Sequence, residues 1–433
     1  MNPMNVTRKQ RVSHVGMALA LICGTAVTAT ALETPAHAQR KKPKKEEAKA
    51  SYSEPFIAAY RVVTPLLNAP AKDAAAMRAQ VPAIIAAVST PDDRFAGGQF
   101  VLATGSAAND PALQLQGLTM MLDSGKTPAA NLGQYNFFAG QLSYQAKDYA
   151  KARTYFQAAQ TAGYTQADLN LLIAETHLQQ KDAAGGLAFL NKVVDQQVAA
   201  GQTPSADYLR KGLATAHNGQ VKDQALRYAQ LLAKYHPSTT SWGDAISVTR
   251  ANATLNDDDT LDLLRLQRRT KTFRDGREYV GYVDIADPRR LPTEVTQVIN
   301  EGYASGLLAR NNTFIADALK EAKTREGMQK AELASLERDA NASGAKLPTV
   351  VAAGNVFLSL GQPAKAEQFF RKALSMPGAD TATITNRLGM AQLEQGKYAD
   401  AATTFNQVQG TRAAVSKLWA AYATQRQSGS TGA

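Results

Sequence analysis

From about residue 54 to residue 422, apolar side chains recur at intervals of three and four. Breaks are short and no sustained run alternates with period two, so the pattern predicts one helix after another. A fixed grammar lies on top of this rhythm. A small residue is followed twelve positions later by another small residue, then by an apolar one four on and a further apolar one three beyond. Gly140, Ala152, Phe156 and Ala159 set it, and Ala174, Gly186, Leu190 and Val193 repeat it 34 positions later. Gly354, Ala366, Phe370 and Ala373 give it again, and Gly389, Ala401, Phe405 and Val408 follow 35 positions on. A period near 34 predicts stacked helix pairs, an all-α solenoid, and such stacks bind more often than they transform. The length allows roughly nine or ten pairs, with a last helix at 412–424 and a polar tail at 425–433.

The breaks carry matching punctuation: Thr90-Pro91, Asp110-Pro111, Thr127-Pro128, Thr203-Pro204, Leu347-Pro348 and Met376-Pro377-Gly378. Proline in a first helical turn loses no hydrogen bond that the turn could have made. Within each unit a tight turn at Lys147-Asp148, Lys181-Asp182, Gly361-Gln362 or Gly396-Lys397 reverses the chain. The small residues place Gly140 against Ala152, Gly354 against Ala366 and Gly389 against Ala401 at the crossing of the two helices. Phe156, Phe370 and Phe405 then fill the space toward the next unit. Leucine at Gly140 or Gly389 overpacks the crossing, at roughly 1–3 kcal/mol. The expected result is an elongated open trough.

At these residues the chain resembles the tetratricopeptide repeat family. Residues 140–159 (GQLSYQAKDYAKARTYFQAA) and 388–405 (LGMAQLEQGKYADAATTF) are its good members, and 173–194 and 353–375 are similar. In 207–237 the second helix fits through Ala225, Ala229, Leu232 and Pro237, while the first slips by a residue. The resemblance covers about a third of the chain. It implies a right-handed superhelix whose first helices line a concave groove for a peptide or a partner's helix. By helical phase Gln141, Tyr144, Glu175, Asn355 and Asn386 lie on that face. They lack the Lys/Asn pairing with which some members hold a C-terminal carboxylate.

The resulting plan has a leader at 1–38, a basic linker at 39–52 and degenerate helical repeats at 53–130. Tetratricopeptide-like repeats at 131–237 and 346–424 bracket divergent helical repeats at 238–345. In the N-terminal part, Ala-rich runs at 57–63, 74–81 and 95–104 suit helices that touch closely. The charged stretch 321–341 bridges the weak middle to the C-terminal repeats and offers a hinge.

The leader sets the address. Arg8, Lys9 and Arg11 precede an apolar run over 15–32, and Ala36-His37-Ala38 supplies a cut before Gln39, the form of a secretory signal peptide. The periplasm or the exterior of a bacterial cell is the expected location, with an uncleaved inner-membrane anchor as the competing reading. Cys23 follows Ile22, not the small residue that lipid attachment requires, and it is the one cysteine, so disulfides play no part. Losing 1–38 leaves 45 basic and 36 acidic residues, +9 against +11 for the whole chain. Arg40, Lys41, Lys42, Lys44, Lys45 and Lys49 against Glu46 and Glu47 make residues 40–49 an arm of +4. This arm is expected to be a disordered spacer, or to touch an anionic membrane surface or cell-wall polymer weakly, at roughly 1 kcal/mol per basic group. No aromatic residue interleaves it, which argues against a nucleic-acid partner.

Candidate chemistry is sparse. His177, His217 and His236 match no metal spacing, and neither a phosphate loop nor a Gly-x-Ser-x-Gly elbow is present. Asn256-Asp-Asp-Asp259 could bind calcium, but it reads better as a helix cap, with Asp258 or Asp259 before Thr260. Arg265, Arg268, Arg269, Lys271, Arg274 and Arg277 form either a docking patch for an acidic partner or the solvated side of a helix that buries Leu261, Leu263, Leu264 and Leu266. Asp275-Gly276 could turn a hairpin, but the helix–turn–helix rhythm that follows favours a helix. No catalytic set, metal or cofactor is expected. The reading is a non-enzymatic scaffold for a protein or peptide partner, with an envelope or polysaccharide-export assembly as the expected setting; the alternative is a cell-wall enzyme or assembly factor, whose catalytic unit would have to lie in 240–345.

Overall fold

The computed structural model describes residues 50–429, so the leader, nearly all of the linker and the last four residues lie outside it. Among the described residues there are twenty helices and no strand. The first four are α1 (Glu54–Asn68), α2 (Ala74–Ala87), α3 (Pro91–Ala107) and α4 (Pro111–Asp123). The central block comprises α5 (Ala129–Gln145), α6 (Tyr149–Thr161), α7 (Leu169–Gln179), α8 (Ala183–Ala199), α9 (Ala206–Asn218) and α10 (Lys222–Tyr235). Next come α11 (Thr239–Asn252), α12 (Asp257–Arg269), α13 (Gly276–Ala286), α14 (Pro292–Ala304) and the long α15 (Thr313–Asn341). The C-terminal block is α16 (Leu347–Ser359), α17 (Pro363–Leu374), α18 (Thr381–Glu394), α19 (Tyr398–Asn406) and α20 (Ala413–Gln427). Each helix packs on the next in chain order, as a stack of helix pairs requires.

Local chemistry explains the boundaries. Asp73, Asp110, Asp148, Asp168, Asp182 and Asp380 each cap the helix that follows by accepting a free amide of its first turn. Thr90 and Asp93 form a reciprocal capping box, with Pro91 in the first turn of α3. The turns inside the units use a left-handed residue. Gly361 and Gly396 fill it in the C-terminal block, whereas Lys147 and Lys181 hold positive φ in the central block, a conformation that costs a side-chain-bearing residue about 1 kcal/mol.

The crossing inside each unit differs from the sequence expectation. A Cβ on Gly140 would lie 2.6 Å from the Phe156 ring, on Gly354 2.6 Å from Phe370, and on Gly389 2.7 Å from Phe405. The glycine makes room for the aromatic ring of its own unit, sixteen positions on, so that ring closes its own pair as well as meeting the neighbour. Ala152, Ala366 and Ala401 are buried beside it. Gly212 and Tyr228 stand in the same relation, 2.3 Å from Cβ to ring. The unit that seemed to slip is therefore in register when read from glycine to aromatic.

In the N-terminal part, α3 and α4 make the closest approach. A Cβ on Gly117 would fall 2.4 Å from the Leu102 amide nitrogen, and one on Gly105 2.5 Å from that of Gln114. Asp93 ties the start of α1 to this pair. It is buried and accepts from the Ser53 amide and hydroxyl and from the amides of Ser89 and Thr90, at 2.7–3.1 Å. Burial alone would raise its carboxyl, but these donors outweigh it and hold the group at about 2. Glu367 is held at about 2 in the same way by Lys397, Arg371 and Gln395. A carboxylate depressed in the folded state contributes stability above its unfolded value, near 4, and loses it as pH falls toward 2. The melting temperature should therefore be level above about pH 5 and drop below about pH 4. Asp93→Asn should lower the plateau and flatten that drop, as followed by circular dichroism.

Candidate functional site

The first helices of the central block present their outer faces side by side. On α5, Tyr144 is half-buried and packs edge-on against Tyr149, 5.2 Å between ring centroids. Partial burial, then the nearby charge of Glu175, raises its phenol above the ordinary value, so at neutral pH it is a hydroxyl able to donate. Glu175 on α7 accepts from Gln179 at 2.6 Å and pairs with Lys211 of α9. Gln141, one turn before Tyr144, keeps a buried side-chain oxygen with no hydrogen-bond partner among the described residues. Gln141, Tyr144, Glu175 and Lys211 thus run across α5, α7 and α9, with apolar Leu171 and Leu172 nearby, also half-buried.

The line continues toward a cleft of about 420 Å³ between α9, α10 and α11, floored by Leu213, Leu232 and Val248 and rimmed by Arg210, His217 and His236. His236 Nε2 donates to the Pro204 carbonyl at 2.7 Å, which fixes the ring. Lys211 and this cleft were missed in the sequence, where the apparent slip of 207–237 hid the phase of α9. The sixteen-residue spacing from Gly212 to Tyr228 was the available signal.

The C-terminal block has corresponding faces, and α12 of the same chain lies against part of them. Asn386 meets α12, whereas Asn355 is half-exposed and lines a cleft of about 480 Å³ beside that helix. Asn386 is 0 % exposed; its amide donates to Asp262 Oδ2 at 2.9 Å and its oxygen accepts from Ser416 at 2.7 Å. The expectation that Asn386 faces a partner is therefore corrected. Asn355 accepts from Arg387 at 3.3 Å, and Arg387 in turn holds Asp258 at 2.6 Å. Arg412 pairs with Asp259 at 2.7 Å and with Asp262 at 2.5 Å, and Trp419 Nε1 donates to the Asp262 carbonyl at 3.0 Å. The repeat face is open in the central block and partly covered by α12 here.

The acidic run also acquires a definite role. Asn256, not Asp258 or Asp259, is the cap of α12, in a capping box with Asp259. Asp258 and Asp259 stand in the first turn, where the helix dipole favours them, and Asp262 one turn on aligns with Asp258. Burial would raise Asp258, but Arg387, Arg290 and Arg412 bring it below its ordinary value. The arginines of 265–277 are engaged within the chain: Arg265 binds Glu294 and Asp262, Arg268 binds Glu301, Arg269 binds Glu394, Arg274 reaches Ser247 and Arg277 folds onto Asp275. The four leucines are buried, and Asp275 caps a helix in place of a hairpin.

His177 Nδ1 lies 2.8 Å from Asp182, the cap of α8, and so belongs to a turn. Among the described residues no group of three or more His, Cys, Asp or Glu is placed to hold a metal ion. The central face offers hydrogen-bond donors and acceptors, apolar steps and one cleft, an arrangement suited to holding an extended or helical segment of another chain.

A family model described as "Tetratricopeptide repeat" matches residues 139–207 and 351–415. No curated protein matches the sequence. Among solved structures, a crystal structure of the P58(IPK) TPR domain aligns at 12 % identity and TM-score 0.22, covering 86 % of this chain and 99 % of that one. Naa15/Naa10 bound to HypK-THB aligns at 11 % and 0.24, covering 81 % and 65 %. The pentatricopeptide repeat protein PPR10 from maize aligns at 12 % and 0.23, covering 86 % and 64 %.

Proposed function

We propose, from the premise that the chain is a tetratricopeptide repeat protein in its central and C-terminal blocks, that it is a non-enzymatic scaffold of the bacterial cell envelope. It holds a peptide or partner subunit on the open face of α5, α7 and α9, with the cleft before α11 taking an apolar side chain. One observation carries this reading. The same repeat face is partly covered by a helix in the C-terminal block, while in the central block it stands open with Tyr144, Glu175 and Lys211 exposed in part. Residues 240–345, where the competing enzyme reading would need its catalytic unit, form the rest of α11 and helices α12–α15, and Arg265, Arg268 and Arg269 there are engaged in ion pairs.

The envelope address rests on residues 1–38, and a weak contact with anionic surfaces rests on residues 40–49; both lie outside the described residues. No described helix is long and apolar enough to cross a membrane. The exported protein should begin at Gln39 on N-terminal sequencing. Crosslinking in cells from that form should capture a defined partner. Tyr144→Ala with Glu175→Ala should cut the yield about tenfold, equivalent to some 1.4 kcal/mol, with helix content unchanged. Asn355→Ala, which changes the partly covered face, should leave the yield as it was. Equal capture by the central-face variant would remove the proposal.

A further inference from the structure

The contact between α12 and the C-terminal block has the composition of a recognition site. Asp262 is wholly buried, and donors from three separate segments converge on its carboxylate: Arg265 on its own helix, Asn386 on α18 and Arg412 before α20. Its carbonyl takes the Trp419 indole. Asp258 and Asp259 meet Arg387 and Arg412 alongside. An apolar seam continues from these polar contacts, with Ala229 and Ala233 of α10, Trp242 and Ile246 of α11 and Leu263 of α12 against Val415, Leu418, Trp419 and Tyr422, and Gln230 of α10 donates to the Ala414 carbonyl at 3.3 Å. Trp242 Nε1 donates to Gln425 at 3.0 Å. Clefts of about 480 Å³ and 270 Å³ remain on either side of α12, so the helix sits in the groove without filling it. A buried, directional ionic set fixes one register more than it adds stability, which suits a docked ligand.

We propose that the C-terminal repeats bind α12 of their own chain as their ligand. The seam is then a docking contact between two separately folded parts joined through α15, and Asp262 is the residue recognised. The reading is independent of the partner proposed for the central face. It also states what chemistry this groove takes: a helix with carboxylates in its first turn, another one turn on, and leucines beside them.

Both tryptophans of the chain, Trp242 and Trp419, lie in this seam, so tryptophan fluorescence reports on it. In the full chain, Asp262→Arg should red-shift the emission while far-ultraviolet dichroism and amide protection in α16–α19 persist. A synthetic peptide of residues 256–270 should then bind, returning the emission toward wild type with an affinity at least about tenfold above that for the unaltered chain, whose groove is occupied. Arg412→Glu attacks the same contact from the other side and decides the matter if Asp262→Arg does not fold: it should undock the seam equally, though it cannot restore peptide affinity. Loss of protection in α16–α19 together with the seam in Arg412→Glu would make the contact part of one indivisible core and overturn the proposal. Unchanged emission in both variants, or an opened, folded Asp262→Arg chain that ignores the peptide, would overturn it as well.

Discussion

Replacing Glu294 by alanine should destabilise the region around α12–α14 by about 3–5 kcal/mol, the cost of leaving a buried charge without its partner. Glu294 is buried at the start of α14. Arg265 binds it through two parallel contacts, Nε and Nη2, both at 2.7 Å, and the Tyr282 hydroxyl donates to it at 2.5 Å. Burial would raise its carboxyl, yet the Arg265 charge and these donors hold it at about 2, so it is ionised throughout the physiological range. Removing it strands the Arg265 guanidinium in a site that excludes water, with only Asp262 as counter-charge. Glu294→Gln preserves volume and an acceptor and should cost clearly less. Repeat stacks unfold in parts, so hydrogen exchange of the α12–α14 amides is the measurement to use. Protection there should fall while that in α3–α4 stays constant; equal protection in wild type and Glu294→Ala would contradict the account.

Gly117→Ala should cost about 3 kcal/mol or more, at the top of the range for overpacking. Alanine in a helix interior ordinarily gains about 1 kcal/mol over glycine, so the expected sign is reversed by packing. The new methyl carbon would stand 2.4 Å from the Leu102 nitrogen and 2.7 Å from both the Gly98 oxygen and the Leu102 Cα. All three are backbone atoms, and α3 cannot retreat without opening the core around Phe100 and Val101. Gly281 in α13 and Gly327 in α15 are the counter-experiment, because a Cβ there meets nothing within 4 Å. Alanine at either should stabilise by about 0.5–1 kcal/mol. Denaturant melts of the three variants would show one large loss and two small gains; a gain at Gly117 would mean that the helices do not cross as described.

Much of the architecture was written locally. Helix starts follow from Asp, Ser and Thr caps, and turns from Gly361 and Gly396, because each is decided within a few residues. The repeat pattern likewise identified the residues buried in each pair. What pattern alone could not show was distant contact. Asn386 was read as facing a groove, but nothing within its repeat reveals that α12, more than a hundred residues earlier, covers it. The arginines after Leu261 read as a solvated or sticky surface because their partners, Glu294, Glu301 and Glu394, come from other helices. Lys211 was hidden by alignment on the small residue; alignment on the aromatic ring, Tyr228, recovers it. On the central face, Tyr144 and Glu175 were legible as neighbours of an open side because successive units there obey the repeat without a return contact.

That return contact also limits how the array can vary in length. An open-ended series of helix hairpins tolerates gain or loss of a whole unit, since each hairpin touches only those beside it. Here Asp262 must meet Arg412, 150 positions further on, so a unit inserted or deleted between α13 and α19 would rotate and translate one anchor away from the other. Duplication of α16–α17 should therefore be poorly tolerated, while duplication of a hairpin before α10 leaves the closure intact. The number of units between the two anchors is fixed by geometry, and size variation among related chains should concentrate on the N-terminal side.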